Sequence, residues 1–447
     1  MLERCKLFMT FFDSRFEDLE RDTWKATVYR DFSAGLIVAM TASPMAMGFA
    51  MAMGMRPEQG IIAGAVACLV GRTFGGSKYQ VYGPTAAFIP VIGSLMAKYD
   101  HGFLIVCSGI AGLILMLMGL FGAGRFAKLV PNSVIVGFTV GIGVSIALTN
   151  LDSLLGVRFA ESGLAGVVKG LAANLGNING AALFIGLMTF VVTRYLLRVS
   201  IFIPAPLIAL GVATVLGATL LSGSGLTLVA DRYGAIPTNF FVLTLPSMPS
   251  LSADVLADMA YYVFAIVFVS AVESVLCSSM ADRLAGNRRT PFNPDKEFWG
   301  QGLVQVVTPL INGFPCTGAL ARTATSIKSG AVTPLAGYFK AFLKLGLAYY
   351  LAQYLNLVPM ACIGGILLWV ATNMIKPAEI RHVWQTDRAH GLLMAYTAVM
   401  VPLTDFLTGV LSALVIYFVF RRSFGDLPEQ APAAPRLRVK TGAPQPA

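Results

Sequence analysis

Two charged residues lie where charge is expensive, and they are the first candidates for chemistry. Glu273 sits in the apolar run Ser270-Ala271-Val272-Glu273-Ser274-Val275-Leu276-Cys277, about two turns before Asp282 and Arg283. A carboxyl group inside such a helix marks a functional site by default, because desolvating it is costly. It could load and release a proton. A purely structural pairing with Arg322 is the plainer alternative. Arg322 lies in the stretch Gly313 to Ser326, reading GFPCTGALARTATS, between the hydrophobic segments 299–312 and 335–355. Its Pro-Cys-Thr-Gly start reads as the first turn of a helix, since proline tolerates that position and threonine can cap.

The helix so begun is too short to cross a bilayer, which takes about 20 residues. A helix that starts inside a membrane points its first N–H groups into a cavity, and those groups attract anions. A similar stretch, Tyr82-Gly83-Pro84-Thr85-Ala86-Ala87, occurs in the first half of the chain. Interrupted half-helices at corresponding places in two halves point to a substrate site. The expected backbone donors are Thr85, Ala86 and Ala87 on one side and Thr317, Gly318 and Ala319 on the other, with Arg322 adding a full positive charge. A packing role as re-entrant loops is the alternative for either stretch alone. Near Pro44, Phe49 and several methionines could form an apolar cavity wall or pack ordinarily.

Other chemistries find no support. The six cysteines are scattered, with neither zinc spacing nor a disulfide framework, and the three histidines sit near span ends. No metal site, cofactor or enzyme motif is expected. The net charge of +10 would suggest nucleic acid in a soluble protein, but here basic loops on one membrane face explain it.

The elements that must position these residues are membrane spans. Of 447 residues 56% are hydrophobic and only 13% charged, against roughly 25% in a soluble domain. The expected fold is an all-α polytopic membrane protein. About 14 spans are expected, near 33–53, 58–73, 83–97, 103–121, 129–152, 179–196, 203–222, 255–280, 299–312, 316–329, 335–354, 357–374, 390–404 and 405–421.

The connection 223–254 separates a first seven-span repeat, 31–222, from a second, 255–421. An odd number per half forces opposite topologies, an inverted repeat whose half-helices meet at mid-membrane. Counting loop charges with both ends inside gives fourteen lysines and arginines in the inner loops against five outside. That asymmetry puts both termini in the cytoplasm, in a plasma (inner) membrane.

Residues 1–30 carry Phe8, Phe11, Phe12, Phe16 and Leu19 at helical spacing. They read as a cytoplasmic amphipathic helix on the membrane surface or packed on the protein's own underside. The Pro/Ala-rich tail 422–447 reads as a disordered cytoplasmic end. Lys340 and Lys344 are expected near the inner end of the eleventh span, where they can snorkel.

Longer motifs complete the picture. They include D-x-x-AGL-x-V-A at Asp31 to Ala39, FGGS-x-x-QV-x-GPT-A at Phe74 to Ala86, and VESVL with AD-x-LAGNRR from Val272. Further on come N-P-D-K-E-x-x-GQGL, GFP-x-TGALARTATSIKSGA-x-TPLAG and IGGILLWVA-x-N-M-I. With these the chain resembles the SulP (sulfate permease) family of anion transporters along almost its whole length. The resemblance implies a moving core domain of spans 1–4 and 8–11 and a gate domain of spans 5–7 and 12–14. It places an anion between half-helices three and ten, facing spans one and eight, so that Ser43, Met45 and Phe49 join the substrate-binding residues.

Most members carry a cytoplasmic STAS domain after the last span, and the residues after Phe420 leave no room for one. Met45 stands where many sulfate-type members have glutamine, as in bicarbonate-type members, whereas Glu273 and Cys277 replace the aspartate and threonine of the sodium-coupled ones. The expected function is therefore secondary active, proton-coupled transport of a small inorganic oxyanion, sulfate first and bicarbonate second, with Glu273 as the proton-coupling residue. Sodium-coupled bicarbonate or C4-dicarboxylate transport, or an anion channel of the same fold, are the alternatives. The partners implied are the anion, a co-transported proton and the lipid bilayer, with a homodimer left open.

Overall fold

The structure is a computed structural model that describes residues 8–10, 13–19, 23–124, 130–159, 163–237, 239, 241–404, 406–421 and 424. Each of the fourteen expected stretches contains a helix. In the first half these are α1 (Trp24–Ala52), α2 (Pro57–Phe74), the half-helix α3 (Ile89–Lys98), α4 (His101–Leu120) and α5 (Asn132–Thr149). The short α6 (Leu151–Leu155) and α7 (Gly163–Asn174) lead to α8 (Gly180–Val199) and α9 (Ala205–Ala218).

After the short α10 (Val229–Tyr233) the second half repeats the order. It comprises α11 (Ala253–Ala285), α12 (Pro294–Leu310), the half-helix α13 (Leu320–Lys328), α14 (Leu335–Leu355) and α15 (Met360–Met374). The connecting α16 (Pro377–Thr386) then leads to α17 (Arg388–Leu403) and α18 (Phe406–Val419).

Packing partners reveal the repeat symmetry. The fourth span of the first half, α4, packs on the second span of the other half, α12, and α2 packs on α14 in the reciprocal manner. Likewise α1 packs on α14 while α11 packs on α4, and α5 packs on α17 while α15 packs on α8. Exchanging the halves maps each pair onto another, as an inverted repeat requires. The same contacts separate a core domain (α1–α4 and α11–α14) from a gate domain (α5, α8, α9, α15, α17 and α18).

Inside lipid no hydrophobic force drives helix against helix, so close approach depends on small residues. At the α4–α12 crossing Gly112 and Gly302 face each other. A Cβ on Gly112 would come within 2.6 Å of the Gly302 carbonyl, and one on Gly302 within 2.5 Å of the Gly112 carbonyl.

The N-terminal segment packs on the protein's own surface. Phe8 is buried with its ring 6.1 Å from that of Trp299, and Ser14–Phe16 forms one 3-10 turn. Arg15 donates to the carbonyls of Arg72 (3.2 Å), Thr73 (3.2 Å) and Gly75 (2.5 Å), satisfying the end of α2. Asp13 accepts from Arg15 Nε (2.8 Å) and Lys296 Nζ (2.6 Å), and Asp18 pairs with Lys78. Phe11 and Phe12, and the tail from 422 on apart from Phe424, lie outside the described residues.

Candidate functional site

The two half-helices begin where two short strands cross. In β1 (Tyr82–Gly83) and β2 (Thr317–Gly318), Tyr82 pairs with Gly318 and Gly83 with Thr317, antiparallel. The crossing is reinforced by Ala319 N–H donating to Val81 O (2.9 Å) and by Val81 N–H donating to Thr323 Oγ1 (2.8 Å).

The expected helical first turn at Pro315-Cys316-Thr317-Gly318 is therefore displaced. Thr317 and Gly318 are strand, and α13 starts at Leu320 after the extended Ala319. Strand pairing already satisfies backbone groups of this stretch, and that outweighs proline's tolerance for a first turn. On the other side Thr85 is extended, Ala86–Phe88 is a 3-10 turn, and α3 follows. Among the described residues no side chain caps either start. All six expected backbone residues, Thr85, Ala86, Ala87, Thr317, Gly318 and Ala319, are thus buried at or beside one crossing.

Arg322 spans that crossing. Its Nη2 donates to Pro84 O at 2.5 Å, and its guanidinium carbon lies 5.7 Å from the centre of the Phe49 ring, within cation–π range. Arg322 is only 5% exposed, and its Nη1 has no hydrogen-bond partner among the described residues. Glu273 accepts from Thr85 Oγ1 at 2.8 Å. No ion pair joins it to Arg322 among the described residues, so the structural pairing weighed from sequence is not made.

The span-one residues divide. Met45 and Phe49 are four apart and share one helix face. Ser43 donates to Ala39 O (2.8 Å) and lines a small apolar cavity with Met40, Pro44, Met47, Leu207 and Leu351, between α1, α9 and α14. It is not brought to the strand crossing.

Sequence reasoning missed what supports the crossing. Glu297, buried, accepts from the backbone N–H of Gly76 (2.9 Å) and Ser77 (3.2 Å), Gln80 Nε2 (2.8 Å), Tyr82 OH (2.9 Å) and Ser274 Oγ (2.5 Å). Ser274 follows Glu273 directly, so one helix of the second repeat carries both the site acid and a tether to the loop before β1. Gln305 accepts from Cys316 N–H (3.2 Å) and donates back to Cys316 O (2.9 Å), holding the chain entering β2.

Lys340 and Lys344 correct an expectation. Both are buried, at 1% and 0% exposed, and neither snorkels. Lys340 Nζ donates to Tyr82 O (2.7 Å) and Gly64 O (3.3 Å), and Lys344 Nζ donates to Gly60 O (3.3 Å). The signal available in sequence was their four-residue spacing, which stacks them on one face of α14.

This arrangement can be compared with known proteins. The model of the Sulfate permease family matches residues 28–397. YvdB of Bacillus subtilis is 33% identical over 395 residues, covering 88% of this chain and 73% of that protein. The bicarbonate transporter BicA of a Picosynechococcus species is 26% identical over 393 residues, covering 85% of this chain and 68% of BicA. Among solved structures, the transmembrane domain of a cyanobacterium bicarbonate transporter BicA superposes with a TM-score of 0.74 at 25% identity, covering 87% of this chain and 97% of that one. SLC26A9 superposes at 0.79 with 18% identity, covering 94% and 69%. With the family pattern running through both repeats and a fold that carries it, the chain is a member of the sulfate permease family of membrane anion transporters.

Proposed function

We propose that this protein is a secondary active transporter of a small inorganic oxyanion, sulfate before bicarbonate, driven by the proton gradient. The observation that carries the reading is Arg322, fixed by Pro84 O across two half-helix starts that, among the described residues, are uncapped, with one guanidinium nitrogen there left unpartnered. Backbone N–H groups at Ala86, Ala87 and the start of α13 donate to the oxyanion, and each start contributes roughly half a positive charge. Met45 and Phe49 form the apolar wall. The core domain then moves against the gate domain, as alternating access around a fixed site requires.

Glu273 is the coupling residue in this reading, held beside the first half-helix by Thr85. An arriving anion offsets part of the Arg322 charge, and a proton on Glu273 then balances the anion as both cross. The basic inner loops favour a plasma membrane location with both termini in the cytoplasm. YvdB carries a sulfate-transporter name, which supports the order of substrates. The BicA likeness, together with Met45, favours bicarbonate as the second reading. The test is uptake of labelled sulfate and bicarbonate into reconstituted vesicles, with and without proton and sodium gradients. Saturable sulfate uptake that follows the proton gradient is expected. Uptake that follows sodium, or that takes dicarboxylates while sulfate fails even to compete, would sink the proposal.

A further inference from the structure

Behind the strand crossing lies a column of buried basic side chains. Arg322, Lys340 and Lys344 are 5%, 1% and 0% exposed. No carboxylate forms an ion pair with any of them among the described residues. Among the described residues their hydrogen-bond partners are carbonyl oxygens: Pro84 for Arg322, Tyr82 and Gly64 for Lys340, and Gly60 for Lys344.

Two glycines make the room. The position a Cβ would take on Gly83 lies 2.9 Å from Arg322 Nη1 and 3.6 Å from Lys340 Nζ, and one on Gly64 would lie 2.2 Å from Lys344 Nζ. Gly83 immediately precedes Pro84-Thr85, the entry to the first half-helix. The Lys340 amine therefore sits directly behind the backbone that leads into the first half-helix, and the Lys344 amine one step further back, against α2.

Burying a charge is costly unless something compensates it. Carbonyl dipoles compensate in part, and the carboxyl groups beside the crossing are Glu273, bonded to Thr85, and Glu297, bonded to Tyr82. The remaining compensation is available from the front, from whatever anion occupies the site.

We infer that Lys340, with Lys344 behind it, sets the charge preference of the site for a divalent over a monovalent oxyanion. The inference rests on the reading of the Arg322 crossing as the anion site. A fixed charge acts on an ion in proportion to that ion's own charge. A lysine behind the site therefore contributes about twice as much to the free energy of binding a dianion as of a monoanion. Hydrogen-bond geometry at the half-helix starts does not discriminate in this way, because both anions present similar oxygens. Lys340 is thus a specificity-determining residue that need not touch the substrate.

The test is calorimetric titration of the purified protein with sulfate and with bicarbonate, at one pH and ionic strength. The proteins compared are wild type, Lys340→Gln, Lys344→Gln and Lys340→Arg. Glutamine removes the charge while keeping an N–H for Tyr82 O, which protects the fold, and arginine keeps the charge. In Lys340→Gln the sulfate affinity is expected to fall about tenfold while the bicarbonate affinity falls about threefold, the square-root relation that the charge ratio demands. Lys344→Gln should show the same asymmetry with smaller factors, and Lys340→Arg should restore the wild-type ratio.

A merely structural lysine would lower both affinities by the same factor, and that result would overturn the charge assignment alone. So would unchanged affinities. Wild-type protein that binds neither anion would overturn the site itself.

Discussion

At the scale of single residues the candidate site depends on a few groups with separable roles. Arg322 is both a tie between the half-helices, through Pro84 O, and the holder of a guanidinium nitrogen without a partner among the described residues. Removing a hydrogen bond to a charged group costs about 1.5–3 kcal/mol, which corresponds to roughly ten- to hundredfold in affinity. Arg322→Ala is therefore expected to raise the apparent KM for the anion by at least about tenfold, measured as uptake against concentration. An unchanged KM would make the arginine structural only.

Glu273→Gln addresses coupling instead. Glutamine mimics the protonated acid and can still accept from Thr85. Exchange of labelled for unlabelled anion across vesicles should survive, while accumulation driven by a proton gradient should vanish. Accumulation that persists in the Gln variant would remove Glu273 from the coupling step.

At the scale of elements, the N-terminal segment is a strap across the end of the core domain, joining α2 through Arg15 and α12 through Lys296. Asp13 is its junction, accepting from both cations. Burial pushes the Asp13 carboxyl up, but its hydrogen bonds to Arg15 and Lys296 outweigh that and hold it below the ordinary value of 3.8. A group with a lowered value binds its proton more weakly in the folded state. Its stabilisation is complete above the ordinary value and is lost as pH falls through the depressed one.

Amide hydrogen exchange, corrected for intrinsic rates, should therefore show residues 13–19 protected at neutral pH and opening only below about pH 4. Asp13→Asn should be open already at neutral pH, with protection of α4 and α12 unchanged. Equal protection in parent and variant would deny Asp13 this role.

At the scale of the whole molecule the two halves interlock, so that no core-domain span packs only within its own repeat. The inverted arrangement predicts which loops share a side. Ala173 in α7 and Arg288 after α11 are both exposed. In a cysteine-free background, Ala173→Cys should react with an impermeant thiol reagent from outside the cell. Arg288→Cys should react only after the membrane is opened. Labelling of both from the same side would contradict the proposed orientation of the seven-plus-seven order.

Much of this was determined by the sequence alone. Fourteen helical stretches, their division into two halves and the position of Arg322 follow from runs of apolar residues broken by glycine, proline and charge. Those signals are local, and lipid leaves an apolar segment little choice but helix. Tertiary structure decided what depends on contacts between distant segments. Pro315 to Gly318 looks like a helix start until the distant Tyr82 and Gly83 supply a strand partner, and then pairing moves the start of the helix from Pro315 to Leu320. Ser43 and Phe49, six residues apart, fall on different faces of α1 by helical period, and only the packing of α1 shows that the Phe49 face meets Arg322 while Ser43 lines the cavity. The four-residue spacing of Lys340 and Lys344 puts them on one face of α14 but does not say that this face is buried. Long flexible side chains can reach water from many positions, and only the approach of Gly60, Gly64 and Tyr82 turns them inward to carbonyl oxygens.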